Sequence, residues 1–140
     1  MRRLSRTANS VHGEKGAAAV EFALVSTILF MLIFGILEFG QFYSQYQAFQ
    51  GAAREGARMA AVRGAEADVL DRVEEAADPF TVRPDRRGLM VSVEGGGTEC
   101  DADTIGDPVT VRWRQIFDIQ FPFIPPIDTR TWISAVFKCE

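Results

Sequence analysis

The sequence predicts an α+β protein: a long N-terminal transmembrane helix that continues as a stalk and packs on a small antiparallel β-sheet. Three observations predict it. An almost unbroken apolar run, GAAAVEFALVSTILFMLIFGILEF, extends from Gly16 to Phe39. A proline-free stretch rich in helix-favouring residues follows from Glu38 to Ala77. Beyond Pro79 the composition changes to short alternating segments separated by glycine and proline. The expected organisation is a basic leader at 1–16, a transmembrane segment at 17–39, an extracytoplasmic helical stalk at 40–78 and a small antiparallel sheet module at 79–140.

Between Ala17 and Leu37 only Glu21, Ser26 and Thr27 are polar. A helix of about 20 such residues crosses a hydrocarbon core of about 30 Å. Glu38 ends the run sharply. The leader carries Arg2, Arg3, Arg6 and Lys15 against Glu14, a balance of +3. Basic flanks stay in the cytoplasm, so Gln41 to Glu140 are expected outside. A secretory signal peptide is the competing reading. Its apolar core would be shorter, roughly 7–15 residues, and would end in a small-residue cleavage site. The stretch EFGQFYSQYQAFQ offers no Ala-x-Ala ending. A single-span anchor that is never cleaved fits the same run.

Glu21 is the misplaced charge. A carboxylate at the bilayer centre costs a few kcal/mol on insertion scales. Glu21 lies about one turn inside the edge, where hydration lowers that cost. Residues 17 and 21 are four apart, on one helix face. A cut after Gly16 would create an ammonium on Ala17, and a neighbouring copy could offer that ammonium to the Glu21 carboxylate. Two desolvated charges would then hold a register between subunits.

The basic leader, the Gly16–Ala17 junction, Glu21 at the fifth position after it and the hydrophobic helix resemble a type IV prepilin. The stretch AAAVEFALV, the phenylalanine-rich core and ILEFGQFYSQYQAFQGAAREGARMAA resemble the TadE-like family, minor pilins or pseudopilins of the Flp-type tight-adherence pilus. The resemblance is strong from Gly16 to about Ala61 and looser beyond, where GDPVTVRW and Glu140 fit. It implies leader removal by a prepilin peptidase at Gly16 and Ala17, and an assembly carboxylate at Glu21. Phe22 departs from the tyrosine that related pilins favour next to that carboxylate. The implied partners are the prepilin peptidase, a companion pseudopilin, the major pilin, the inner-membrane pilus platform and the lipid bilayer. The implied location is the bacterial inner membrane as a single-pass protein, N-terminus cytoplasmic and C-terminal module exported, with incorporation in a surface pilus as the further step.

In the stalk, apolar or small residues recur at Phe49, Ala52, Gly56, Met59, Val62, Ala65, Val69, Val73, Ala76 and Phe80, a helical spacing. Asp78-Pro79 is the expected stop, because the residue before proline is pushed out of the helical region. One helix from Ala17 to Ala77 would be about 90 Å long. Gly40, Gly51, Gly56 and Gly64 each weaken it by up to about 1 kcal/mol, with Gly40 and Gly64 as the expected break points. Ala48, Ala52 and Gly56 would let another element approach the backbone closely. Arg54, Glu55, Arg58 and Arg63 lie mostly on the polar face. Glu55 is four before Met59 and lacks an ideal intrahelical partner, and Arg54 and Arg58 are like charges four apart; this face either meets carboxylates on the outer module or on another subunit, or is a solvated face.

In the outer module, Leu89, Val91 and Val93 alternate with Met90, Ser92 and Glu94, a half-buried strand. Val109, Val111 and Trp113 define a second strand face. The prolines of FDIQFPFIPPID argue against a central strand there, so an extended loop is expected, pinning its aromatics on the sheet or on the membrane surface. Trp132 to Lys138 is the third strand, with Ile133, Ala135 and Phe137 on one face. Cys100 and Cys139 would both be exported to an oxidising compartment, and a pair in a small exported domain favours a disulfide.

The formal net charge is −4; the leader carries +3, so the rest carries −7. An acidic exported part does not suit nucleic acid. No nucleophile elbow, phosphate loop or zinc-protease helix motif is present, and the one histidine, His12, is in the leader. An enzyme is therefore not expected, nor a cofactor or metal. Glu99, Asp101, Asp103 and Asp107 could attract calcium, but their spacing does not match an EF-hand loop. Two further readings stay open: an uncleaved membrane-anchored assembly or secretion factor with a periplasmic docking module, and a binding module whose surface is Phe117 to Pro126.

Overall fold

A computed structural model describes residues 11–62, 64–120 and 125–140, with residues 11–15 as backbone only. Residues 1–10 of the leader, the side chains of His12, Glu14 and Lys15, Arg63 of the polar face and Phe121 to Ile124 of the proline-rich stretch lie outside the described residues. The elements, in order, are α1 (Val11–Ala61), α2 (Glu66–Ala77), β1 (Met90–Val93), β2 (Pro108–Ile119) and β3 (Ile127–Lys138). The chain divides into two units, Met1–Leu37 and Glu38–Glu140.

In the first unit the described residues are helical. The large apolar side chains from Val20 to Leu37 are exposed, apart from partly covered smaller positions along the helix. The helix beginning at Gly16 is long and apolar enough to cross a membrane. Ser26 and Thr27 both donate to the carbonyl of Ala23, at 3.1 and 2.8 Å, so their hydroxyls are satisfied within the helix.

The second unit is the folded module. α1 passes Gly40 without a break and stops at Ala61. The helical stretch expected to reach Ala77 breaks at Gly64, one of the two expected points, and the break is a full reversal, so that α1 and α2 form a helical hairpin. Gly64 donates its N–H to the Met59 carbonyl at 3.2 Å. A Cβ on Gly64 would lie 2.8 Å from that same oxygen, so a residue without a side chain is needed at the reversal. The Glu140 N–H donates to the Ala61 carbonyl at 2.9 Å and satisfies one of the orphan acceptors at the helix end. Val62 and Ala65, expected on the apolar stripe, are exposed in the connection. α2 then carries Glu66 and Asp68 in its first turn, favourable at the positive end of the helix dipole. It buries Val69, Val73 and Ala77 and ends before Asp78-Pro79.

The sheet has the order β1-β2-β3, antiparallel throughout. The β2–β3 ladder runs without a bulge from Pro108↔Lys138 to Ile119↔Ile127. Both strands therefore extend further than the sequence suggested. β2 includes Phe117 to Ile119, and β3 begins at Ile127 rather than Trp132. The prolines do not shorten the ladder because Pro125 and Pro126 precede β3, where their missing N–H groups interrupt no pairing. One sheet face buries Val91, Val93, Val109, Val111, Trp113, Gln115, Phe117 and Ile133. It packs on Phe49, Ala52, Ala53, Ala57, Ala60 and Ala61 of α1 and on Val69, Val73 and Ala77 of α2. Small residues on the α1 face let the sheet approach, while Phe49 fills the wider end against Trp113, Phe117 and Phe80.

Candidate functional site

The residues singled out by sequence fall in three places. Gly16, Ala17, Glu21 and Phe22 lie on the N-terminal part of α1 and are all exposed. Of the polar residues in the span, Ser26 and Thr27 bond to backbone. Glu21 makes no ion pair or hydrogen bond among the described residues. A Cβ on Gly16 would meet nothing within 4 Å, so packing within the chain does not require glycine there.

The second place is the helical hairpin. Ala52 is fully buried and Ala48 half-buried. Gly56 faces α2: a Cβ there would lie 2.3 Å from Cγ2 of Val73 and 3.6 and 3.7 Å from methyl carbons of Val111 and Val69. At the rim, Arg72 bridges Glu55 at 3.4 Å and Glu75 at 2.9 Å. The hydrogen bonds that Arg72 donates to the Glu75 and Glu55 carboxylates raise its pKa above the usual value, Glu75 contributing most. Exposed Arg54 and Arg58 have no ion pair among the described residues.

The third place is the C-terminal lock. Cys100 and Cys139 form a disulfide with Cα atoms 5.6 Å apart. Cys139 also donates its N–H to Asp107 O and accepts from Gly106 N–H, both at 2.9 Å. The preceding acidic loop uses Asp101 for its own folding: one carboxylate oxygen accepts from the backbone N–H groups of Asp103 and Thr104 and from the Thr104 hydroxyl, each at 3.0 Å. Among the described residues no group of three or more His, Cys, Asp or Glu could hold a metal ion.

Two features escaped the sequence reading. Gln115 sits on the buried sheet face, where alternation alone would favour an apolar residue. Its Oε1 accepts from Trp113 Nε1 at 2.9 Å and from the Arg83 N–H at 3.0 Å, and its Nε2 donates to the carbonyls of Thr81 and Ile116. Phe117, read as part of an exposed binding surface, is 2% exposed. Its ring packs edge-on against Phe42, with centroids 4.9 Å apart, and against Phe49. Phe117 itself is therefore core and takes no part in an exposed surface.

These features define a class: a single-span membrane protein whose N-terminal helix carries a pilin-like α+β module. Residues 16–58 match the family described as TadE-like protein. The match begins at the Gly16 border, takes in Glu21 and ends with the last residue of the AREGAR segment, Arg58. No curated protein and no solved structure matches the chain.

Proposed function

We propose that the chain is a minor pilin, or pseudopilin, that takes part in initiation, tip formation or assembly of a type IVb Flp/Tad adhesive pilus. A prepilin peptidase removes residues 1–16 and leaves Ala17 as the new terminus. The observation that carries this reading is the family match opening at Gly16, together with a Glu21 carboxylate that has no partner in its own chain among the described residues. In the membrane, the Ala17 ammonium of a neighbouring subunit supplies that partner. The partners are a companion pseudopilin, the major pilin and the inner-membrane platform, with the module of Glu38–Glu140 exported. A module of this size on every subunit would crowd a filament of stacked helices, which favours a minor over a bulk role.

Intact-mass measurement and amino-terminal sequencing of the membrane-extracted protein test the processing step. A terminus at Ala17 supports it; a chain still beginning at Met1 overturns it. Sheared surface fibres then test the role. The mature chain at low stoichiometry supports a minor pilin, and abundance equal to the main subunit contradicts it. An uncleaved chain held only in the inner membrane supports the alternative, an anchored assembly or secretion factor.

A further inference from the structure

Within the second unit the sheet has an outer face that no other described element covers. Val109, Val111, Trp113, Gln115 and Phe117 of β2 turn inward, so the residues between them turn away from the helices. Register places Ser134 opposite Arg112, Trp132 opposite Arg114 and Arg130 opposite Ile116. Residues directly opposite share a face, so the outer face carries Arg112, Arg114 and Arg130 around Trp132. Lys138 lies further along the same face, opposite Pro108. None of these four cations has an ion pair among the described residues. The Arg112 guanidinium sits over the Trp132 ring, 6.0 Å from its centroid, and Nε of Arg114 is buried without a hydrogen-bond partner. Beside Arg114, the Asp85 carboxylate accepts from the Arg87 N–H rather than from a guanidinium. The acids of the ladder, Asp118 and Asp128, lie at its far end, with Asp118 paired to Arg83. Trp132 is 44% exposed and Val136, on the same face, 57%. Tryptophan and arginine are among the side chains most enriched at protein–protein hot spots.

α2 of the same unit presents the opposite charge. Val69, Val73 and Ala77 face the core. With about 3.6 residues per turn, Asp68, Asp71, Glu75 and Asp78 fall on the side away from Val73, and Glu74 flanks them. All five are exposed, and only Glu75 has an ion pair among the described residues, with Arg72. The basic sheet face and the acidic helix face both point away from one shared core, so they cannot meet within one chain. Their dimensions agree. Arg112 to the Ile116–Arg130 pair spans about 14 Å at about 3.4 Å per residue of strand. Asp68 to Asp78 spans about 15 Å at about 1.5 Å per residue of helix. Their directions agree as well. Gly56 of α1 lies by Val69, Val73 and Val111, and Phe49 lies by Phe80, Trp113 and Phe117. The end of α1, α2 and β2 therefore run along nearly one line, and the acidic stripe of one copy can lie along the basic patch of another without turning either end over end.

We propose that the outer sheet face, through Arg112, Arg114, Arg130 and Trp132, is a docking surface for the acidic α2 face of a second copy of this chain. The occupant is a second copy because the chain itself carries the complementary surface, of matching length and direction, with most of its carboxylates unpaired. The contact is heterologous: the two copies use different faces, and each keeps one face free for a further copy. Charge complementarity sets which faces meet and in what register, and Trp132 supplies the desolvated anchor. The inference concerns the second unit alone and holds whether or not residues 1–16 are removed.

The test is light scattering of the full chain in dodecyl maltoside with Cys100–Cys139 oxidised, read as the dissociation constant for self-association. The parent is compared with two double variants, Arg112→Glu with Arg130→Glu and Asp71→Lys with Glu74→Lys. The parent should associate, and its dissociation constant should weaken by about ten-fold or more as NaCl rises from about 50 to about 500 mM. Each variant alone should be weakened at least as far, because both of its faces then carry the same sign. An equimolar mixture of the two variants should regain the parent's association, because each reversed face meets the other. A parent that stays monomeric overturns the inference. Association indifferent to salt and to both reversals places the contact elsewhere on the chain and also overturns it. Loss in both variants without recovery in the mixture means that the faces have different occupants, and loss only on reversing α2 means that other cations, such as Arg54 and Arg58, take the acidic face; either result overturns it. Should a double variant fail to fold, the single changes Arg130→Cys and Asp71→Cys decide: mixed, they should form a disulfide-linked dimer several-fold faster than either alone, and equal rates overturn the inference.

Discussion

Val73 occupies the space that a side chain on Gly56 would need: a Cβ there would be 2.3 Å from the Val73 Cγ2. This contact seats α2 on α1, and Val111 and Val69 close it from two more directions. Gly56→Ala must therefore separate the helices or push Val73 out of its rotamer. The expected loss is about 1–3 kcal/mol, the usual range for overpacking a filled core. Gly51→Ala is the contrasting change, since nothing lies within 4 Å of its added Cβ. There the better helix propensity should stabilise by up to about 1 kcal/mol. Thermal denaturation of both variants in detergent micelles checks the pair; equal melting temperatures would refute the packing argument.

The Cys100–Cys139 disulfide joins residues separated by 39 positions and secures the strand end whose next N–H caps α1 at Ala61. Loop-closure entropy for such a span suggests about 4 kcal/mol, with engineered bridges often giving less. Cys100→Ser and Cys139→Ser should each lower the denaturant midpoint by a similar amount, and reductant should reproduce the loss in the parent chain. A reductant-insensitive midpoint would show that the bridge contributes nothing to stability.

Gln115 is the polar centre of the apolar face. Gln115→Leu fills similar volume but leaves the Trp113 indole N–H and the Arg83 N–H without their acceptor. Burying unsatisfied donors costs about 1–3 kcal/mol each. The expected outcome is net destabilisation despite greater hydrophobicity, with a changed Trp113 fluorescence maximum. A variant as stable as the parent would mean that other acceptors replace the amide.

Gln115 also marks where the sequence stopped being informative. The apolar run, the two-residue alternation in β1 and β2 and the pairing of Cys100 with Cys139 were readable because each depends on local pattern or composition. A break at Gly64 was also readable, but its being a reversal was not. Periodicity continues across 62–65, and only the approach of Gly64 to the Met59 carbonyl distinguishes a reversal from a straight stalk. The length of the β2–β3 ladder was hidden for a related reason. A proline count over FDIQFPFIPPID argued for a loop, whereas Phe117 belongs to the core and the described prolines 125 and 126 fall outside the paired strands. Gln115 continues the Val109, Val111, Trp113 alternation by one step, but the sequence gives no reason for an amide there, because its partners at Thr81 and Arg83 come from a distant segment.

The ion pair between Arg83 and Asp118 gives a pH signature. The hydrogen bond from Arg83 is the main cause holding the Asp118 pKa below its usual 3.8. A carboxylate with a depressed folded-state pKa contributes stability above its unfolded value. That contribution is lost as the pH falls through the folded-state pKa. Asp118→Asn should therefore flatten the acid limb of the stability curve below about pH 4 and leave its shape near neutrality unchanged. The effect should be small, because the pair is solvent-exposed. An unchanged acid limb in a urea titration series would show that the pair does not couple to folding.

Glu21 supplies the most direct test of assembly. Its carboxylate has no described partner within the chain, while the other polar groups of the span are satisfied by Ala23. Removing it should not harm insertion, since Glu21→Ala makes the helix more apolar and eliminates a desolvation cost of a few kcal/mol. What it should remove is the pairing with the Ala17 ammonium of a neighbouring subunit. Glu21→Ala is thus expected to fractionate with the membrane in normal amount, to retain the Cys100–Cys139 bridge, and to be depleted from sheared fibres and from crosslinks to other pilus subunits. Glu21→Asp separates charge from length: it keeps the carboxylate on a shorter stem and should recover assembly in part. Full assembly in the alanine variant, with unchanged crosslinking, would show that the span keeps its carboxylate for another reason.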